Sequence, residues 1–327
     1  MKKSLIALAV LAAAGAASAQ SSVQLYGIAD VWVGGVKDGA AKAQTVVESG
    51  GVSGSRWGIK GSEDLGGGLK AIFTLEQGFA LDTGKADSGF NREASVGVAG
   101  NFGEVKLGKV WTAYDDVQGA SNPVFDSALT PSAKAFATTG KDTAYTANPA
   151  NGVKYTSPSY AGFTAGASYA FDEKTAGNSE VSAVALQYAN GPLTAAVAYQ
   201  TEQAVTSGAS TDYTNLNAAY NLGVVTLKGS YAQRDDNAGS KDKEYQIGAD
   251  YPLAANLVLS AGYASSENKF KGVKQSDNSG FGVAAAYILS KRTTAYAGVR
   301  STKIDYVGGE GVDATTNVYA LGVKHAF

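Results

Sequence analysis

From Val23 to Phe327 the chain repeats one unit many times: about ten residues in which apolar side chains alternate with polar or small ones, then a turn. Successive side chains of a strand point to opposite faces, so this pattern describes strands with one apolar face each. The last copy is the clearest. Tyr319, Leu321, Val323, His325 and Phe327 share one face, while Val318, Ala320, Gly322 and Lys324 share the other.

The first nineteen residues read differently. Lys2 and Lys3, an apolar run from Leu5 to Ala14 and the small residues Ala17, Ser18 and Ala19 before Gln20 have the form of a secretory leader, 1–19, with the folded domain at 20–327. There is no cysteine, so neither a disulfide framework nor a thiolate metal site is available. The formal net charge of −2, made more negative by loss of the two leader lysines, argues against nucleic acid as a partner. No later stretch approaches the roughly 18 consecutive apolar residues of a membrane helix.

An exported chain with 41 glycines, 18 tyrosines and only 17% charged residues fits a transmembrane β-barrel, whose lipid face is averaged away by its lumen face. A secreted β-sandwich, propeller or β-helix would also be glycine-rich and alternating. The spacing predicts strands at 22–33, 51–62, 68–80, 91–100, 104–111, 150–158, 162–171, 179–190, 192–203, 211–222, 224–235, 242–252, 256–266, 278–289, 292–304 and 316–327, sixteen in all. Short connections such as Asn101–Gly103, Asn190–Gly191 and Leu289–Lys291 exchange places with longer polar ones at 34–50, 172–178, 204–210, 236–241, 267–277 and 305–315. Tight turns at one end and long loops at the other distinguish a membrane barrel from a sandwich.

The faces follow from parity. Leu193, Ala195, Val197 and Tyr199 oppose Thr194, Ala196, Ala198 and Gln200; Tyr245, Ile247, Ala249 and Tyr251 oppose Glu244, Gln246, Gly248 and Asp250. Charges fall on the second sets, as they must if the first face hydrocarbon, where a Lys or Arg at mid-bilayer costs about 2–4 kcal/mol. Tyr169, Tyr188, Tyr199, Tyr220, Tyr231, Tyr251, Tyr263 and Tyr287 collect toward strand ends, where a ring can sit in lipid and its hydroxyl in water. A closed ring gives every backbone group in the bilayer a partner. Sixteen strands enclose a space too wide for side chains to fill.

One connection breaks the rhythm. From Thr112 to Pro149 there is no sustained alternation, and the segment carries Pro123, Pro131 and Pro149 with Asp115, Asp116, Asp126 and Lys134. In a barrel such a stretch either folds inward and narrows the lumen or lies as an external loop. Catalytic and cofactor chemistry find little purchase: the single histidine, His325, sits on the apolar face, and no metal-ligand spacing occurs. No catalytic residue, cofactor or metal is therefore expected.

Several ordered segments resemble the Gram-negative general diffusion porins: Ser22-Val-Gln-Leu-Tyr-Gly-Ile-Ala-Asp30, the run from Gly54-Ser-Arg-Trp-Gly to Phe73, Asn91-Arg-Glu-Ala-Ser-Val-Gly97, Phe102-Gly-Glu-Val-Lys-Leu-Gly-Lys109, Asn151-Gly-Val-Lys-Tyr-Thr-Ser-Pro158 and the terminal Gly322-Val-Lys-His-Ala-Phe327. The resemblance implies a sixteen-stranded antiparallel barrel in the outer membrane, with short periplasmic turns, long outer loops and the third loop folded inward. It implies passive diffusion of small hydrophilic solutes and ions, assembly as a homotrimer among lipid and lipopolysaccharide, and Phe327 as a signal to the barrel-insertion machinery. Small Gly27 and Ala29 on one face of the first strand would permit close subunit packing.

Carried over by position, the basic side of the constriction is Arg56, Arg92, Lys109 and Lys154, and the acidic side Asp126, Asp115 and Asp116. Parity places Arg56, opposite Trp57 and Ile59, and Lys154, between Val153 and Tyr155, on the wet face; it places Arg92 and Lys109 with Val96 and Val105 unless a bulge, for which Gly108 is suited, intervenes. The family's Pro-Glu-Phe-Gly-like loop tip reads Pro123-Val-Phe-Asp126 here, without the glutamate. One acid fewer favours anions. A channel specific for a small anionic or sugar solute, and an exported β-rich adhesin, remain as alternatives.

Overall fold

The protein, seen in a computed structural model, is described over residues 22–137, 144–172, 179–204, 208–307 and 311–327. The expected leader, 1–19, lies outside the described residues. Seventeen strand segments follow one another: β1 (Ser22–Asp38), β2 (Gln44–Ser49), β3 (Arg56–Gly66), β4 (Leu69–Gly78), β5 (Glu93–Gly100), β6 (Gly103–Lys109), β7 (Gly152–Thr156), β8 (Phe163–Ala170), β9 (Ser179–Asn190), β10 (Leu193–Ala204), β11 (Ser210–Asn221), β12 (Thr226–Asp235), β13 (Ser240–Ala254), β14 (Leu257–Phe270), β15 (Val273–Ile288), β16 (Thr293–Tyr306) and β17 (Ala314–Ala326).

From β3 to β17 each strand pairs antiparallel with the next, and β17 returns to β1 in register from Ile28 opposite Ala326 to Asp38 opposite Thr316. The other edge of β1 is shared. Its first part, Ser22–Ile28, pairs with β3, and its later part, Val31–Val36, pairs with β2. β2 and β3 are thus one stave broken at 50–55, and the seventeen segments make a closed ring of sixteen positions. Phe327 completes the seam: its N–H and C=O bond those of Gly27 at 3.0 and 3.1 Å, and its ring lies where a side chain on residue 27 would be.

Parity holds through the regular strands. Val197, Tyr199, Tyr245, Ile247, Val283 and Leu321 are exposed on the outside, whereas Ala198, Gln200, Glu244 and Gln246 are buried inside. Outward tyrosines form contacts of their own, as in the pairs Phe163–Tyr188 and Tyr231–Tyr245 with ring centroids 4.7 and 5.1 Å apart.

Strand lengths differ from expectation at one end of the barrel. The expected loop at 34–50 is mostly ladder, since β1 runs to Asp38 and β2 begins at Gln44; that at 267–277 shrinks to Lys271-Gly272 between β14 and β15. Polar residues there read as loop because these strands rise past the apolar band, where both faces meet water. The strand expected at 51–62 begins only at Arg56.

Candidate functional site

The described residues between β6 and β7, 110–137 and 144–151, run inside the barrel. The chain leaves the wall at Thr112, whose N–H bonds Ala147 O at 2.8 Å and so ties the two limbs of the loop together at its base. A short helix, α1 (Asp115–Gln118), follows. Tyr114 and Val117 are fully buried, with Tyr114 against Tyr145 and Tyr213, and Asn217 of β11 donates to Val117 O at 2.8 Å. Farther on, Val124 N–H donates to the Ser260 hydroxyl of β14 at 2.7 Å, Gln246 of β13 bonds Asn122, and Ser266 of β14 donates to Ala135 O at 2.5 Å. Of the two options open to this segment, the inward fold is the one adopted.

Glycines make room for it. On the lumen face of β13, β14, β15 and β16 stand Gly248, Gly262, Gly280, Gly282 and Gly298. A Cβ on Gly248 or Gly262 would collide with the Pro123 ring, on Gly280 with Pro131 O, on Gly282 with Leu129 O, and on Gly298 with the Leu129 side chain. These neighbouring positions form a trough into which the loop backbone sinks. Glycine is needed here for close approach.

The opposite arc, β3 to β7, carries charge instead. Glu76 of β4 accepts from Arg92 Nε at 2.6 Å and from the Tyr26 hydroxyl at 2.9 Å, and Arg56 Nε stands 3.7 Å away. Arg92 also lies over the Trp111 ring, 5.0 Å from its centroid. Next along the wall, Lys106 bridges Glu93 at 3.3 Å and Glu104 at 3.2 Å, and Lys154 pairs with Asp116 of α1 at 2.6 Å. Lys60 rests over Tyr26, 4.9 Å from its ring centroid.

The two arcs are joined by the loop. It starts beside Arg92, where Asn148 donates to the carbonyls of Asn91 and Arg92, crosses the trough, and meets the wall again where Ala128 N–H donates to Gly51 O at 2.6 Å, in the break just before Arg56. Loop and wall close an eyelet around the lumen. Arg56 and Arg92 stand on its rim.

Each expected site residue can now be placed. Arg56 and Lys154 face the lumen, as parity requires. Arg92 does too, against its parity, because the chain leaves the ladder before Glu93. Lys109 sits opposite Ala94 on the lipid parity, at a strand end where Gly108 has φ +125°; its ammonium turns to Asn148 O at 2.5 Å and joins no ion pair among the described residues. It supports the loop base and is not part of the Glu76 cluster. Asp115, half-buried in the loop, accepts from the Tyr145 hydroxyl at 2.7 Å, and burial pushes its carboxyl up to about 6. Asp116 meets Lys154. Asp126 falls in a 3-10 turn, Val124–Asp126, and its side chain lies outside the described residues. Glu76, Glu93, Glu104, Lys60 and Lys106 were missed, although all share the lumen parity of Arg56 and Lys154.

Comparison with known proteins agrees with this architecture. The model of a family described as Gram-negative porin matches residues 5–306. Outer membrane porin protein 32 of Delftia acidovorans is 37% identical, with all of both chains covered. An outer membrane porin protein of Bordetella pertussis is 29% identical, again over the whole of both chains. Among solved structures, an anion-selective porin from Comamonas acidovorans superposes with a TM-score of 0.81 at 30% identity, covering 94% of this chain and 100% of that one.

Proposed function

We propose, from the premise that this chain belongs to the Gram-negative porin family, that its lumen favours anions over cations. The protein is an outer-membrane porin, a water-filled channel through which small hydrophilic solutes and ions diffuse passively. The sign of its preference rests on one observation: two guanidiniums, Arg56 and Arg92, share the single carboxylate of Glu76 on the eyelet rim. The surplus positive charge stands in a confined, low-dielectric setting where its field is weakly screened. Arg300, on the trough side, bonds the Ala128 carbonyl and forms no ion pair among the described residues, with Asp38 and Glu48 acting on its charge from farther off. The similar porin from Comamonas acidovorans is described as anion-selective.

The test is the reversal potential of purified protein in planar bilayers across a potassium chloride gradient. A chloride-favouring sign is expected; a cation preference overturns the assignment.

The same reading gives the chain passage and no reaction, since Glu76, Glu93 and Asp116 serve as partners to lumen cations. It gives Phe327, which closes the seam against Gly27, the role of assembly signal. Residues 1–19 act as the leader. The protein assembles as homotrimers in contact with lipid and lipopolysaccharide. Conductance appearing in three equal steps per insertion supports three pores per particle.

A further inference from the structure

We propose that Asp30 is a positioning residue that sets the bore of the pore by holding the seat on which the tip of the inward loop rests. This inference rests on the channel activity alone and is independent of the sign of ion preference.

Asp30 lies on the lumen side of β1 and is fully buried. Its Oδ1 accepts from Gly51 N–H at 3.1 Å and from the Tyr296 hydroxyl at 2.6 Å; its Oδ2 accepts from Val52 N–H at 2.9 Å and Ser53 N–H at 2.8 Å. Its backbone is held as well, for Asp30 N–H donates to the Ser55 hydroxyl at 3.0 Å and Gly50 N–H donates to Asp30 O at 2.9 Å. One carboxylate thereby shapes the whole break in the second stave. Charge-assisted bonds from backbone donors are strong away from water, and this group is sealed from solvent.

The shaped segment does one further thing. Gly51 O accepts the Ala128 N–H, and Arg300 donates to the Ala128 carbonyl, so a single residue of the loop tip is held from both sides. The tip needs such holding, because Val124 and Phe125 just before it have φ of +56° and +63°, a region unfavourable to residues with a Cβ. Asp30 touches no solute; it acts through Gly51 on the position of Ala128.

The experiment compares single-channel records and liposome swelling in sugars of increasing size for wild type, Asp30→Asn, Tyr296→Phe and Ala128→Pro. The last removes the N–H that Gly51 receives without altering Asp30, and the extended backbone of Ser127 accepts a following proline. Folding is checked by the heat-dependent gel shift of a barrel. Asp30→Asn should flicker and admit larger sugars than wild type, Tyr296→Phe should show the same change to a lesser degree, and Asp30→Asn combined with Ala128→Pro should go no further than the stronger single variant. If Asp30→Asn does not fold, Tyr296→Phe and Ala128→Pro decide. Folded variants with wild-type noise and size limit overturn the proposal, and so do additive effects of Asp30→Asn and Ala128→Pro. Loss of all conductance in wild type would instead overturn the channel reading itself.

Discussion

The arcs β3–β7 and β13–β16 have the same strand parity but use it for opposite ends. On the first, lumen positions carry Arg56, Glu76, Glu93, Lys106 and Lys154; Arg56 meets Glu76 and Lys106 meets Glu93 across neighbouring strands, while Lys154 reaches Asp116 of the loop. On the second, many of the equivalent positions are glycine, and the surface they leave is filled by loop backbone. Covering charge costs hydration, and beside the trough on the loop-covered side Lys228 is paired with Asp250 and Arg234 with Asp242. The seat itself is spared that cost at its glycines, which leave no side chain to desolvate. The Glu76 cluster and the glycine seat thus stand on different walls, and altering each singly tests how far selectivity and aperture separate.

The sharpest way to break that division is to fill the seat. Gly282→Leu places a side chain where Leu129 O lies, and overpacking of this kind costs about 1–3 kcal/mol. The expected outcome is a folded barrel with higher single-channel conductance and almost unchanged ion preference, the largest effect on aperture among simple substitutions. Altered preference at unchanged conductance would show that the walls are not separable.

Next in size is the charged rim. Arg56→Gln and Arg92→Gln should each move the chloride-to-potassium permeability ratio strongly toward unity, because either leaves Glu76 facing a single guanidinium. Glu76→Gln should move the ratio the other way, toward anions, while setting two guanidiniums near one another without their counterion.

A smaller effect sharpens the comparison through pH. The Asp115 carboxyl, raised by burial to about 6, is ionised at pH 8 and protonated at pH 5. Protonation removes a negative charge from the loop, so anion preference should increase as pH falls through 6. Asp115→Asn should give a flatter profile fixed near the acidic limit. Smallest of all is Lys109→Gln, whose ammonium serves the Asn148 carbonyl; one lost hydrogen bond costs about 0.5–1.5 kcal/mol, visible as a lower unfolding temperature with little change in the permeability ratio.

Most of the barrel was legible because alternation is local. A residue such as Ile247 declares its side by its neighbours, and the ring follows from repetition. What the alternation could not show were departures enforced from a distance. The break at 50–55 is dictated by Asp30 and Tyr296, which reach it from other strands. Arg92 turns inward because Glu76 binds it after the ladder has ended, where parity no longer applies. Lys106, within the Phe102–Lys109 run, was open to the same parity argument as Lys154, but the family resemblance points to Lys109 there instead. The trough was written in the sequence too. Gly248, Gly262, Gly280, Gly282 and Gly298 all have lumen parity on successive strands, yet a glycine read singly suggests only a turn or a bulge.

The interrupted second stave has a consequence for how any such ring can be obstructed. In an unbroken cylinder of strands every main-chain donor and acceptor is already committed to a neighbour, and an internal crosspiece finds nothing on the wall to tie to except side chains. By giving up a few rungs at 50–55, this molecule frees the carbonyl of Gly51, and to that spare group it fastens the tip of its own obstruction. The narrowness of the hole is anchored in a flaw of the cylinder.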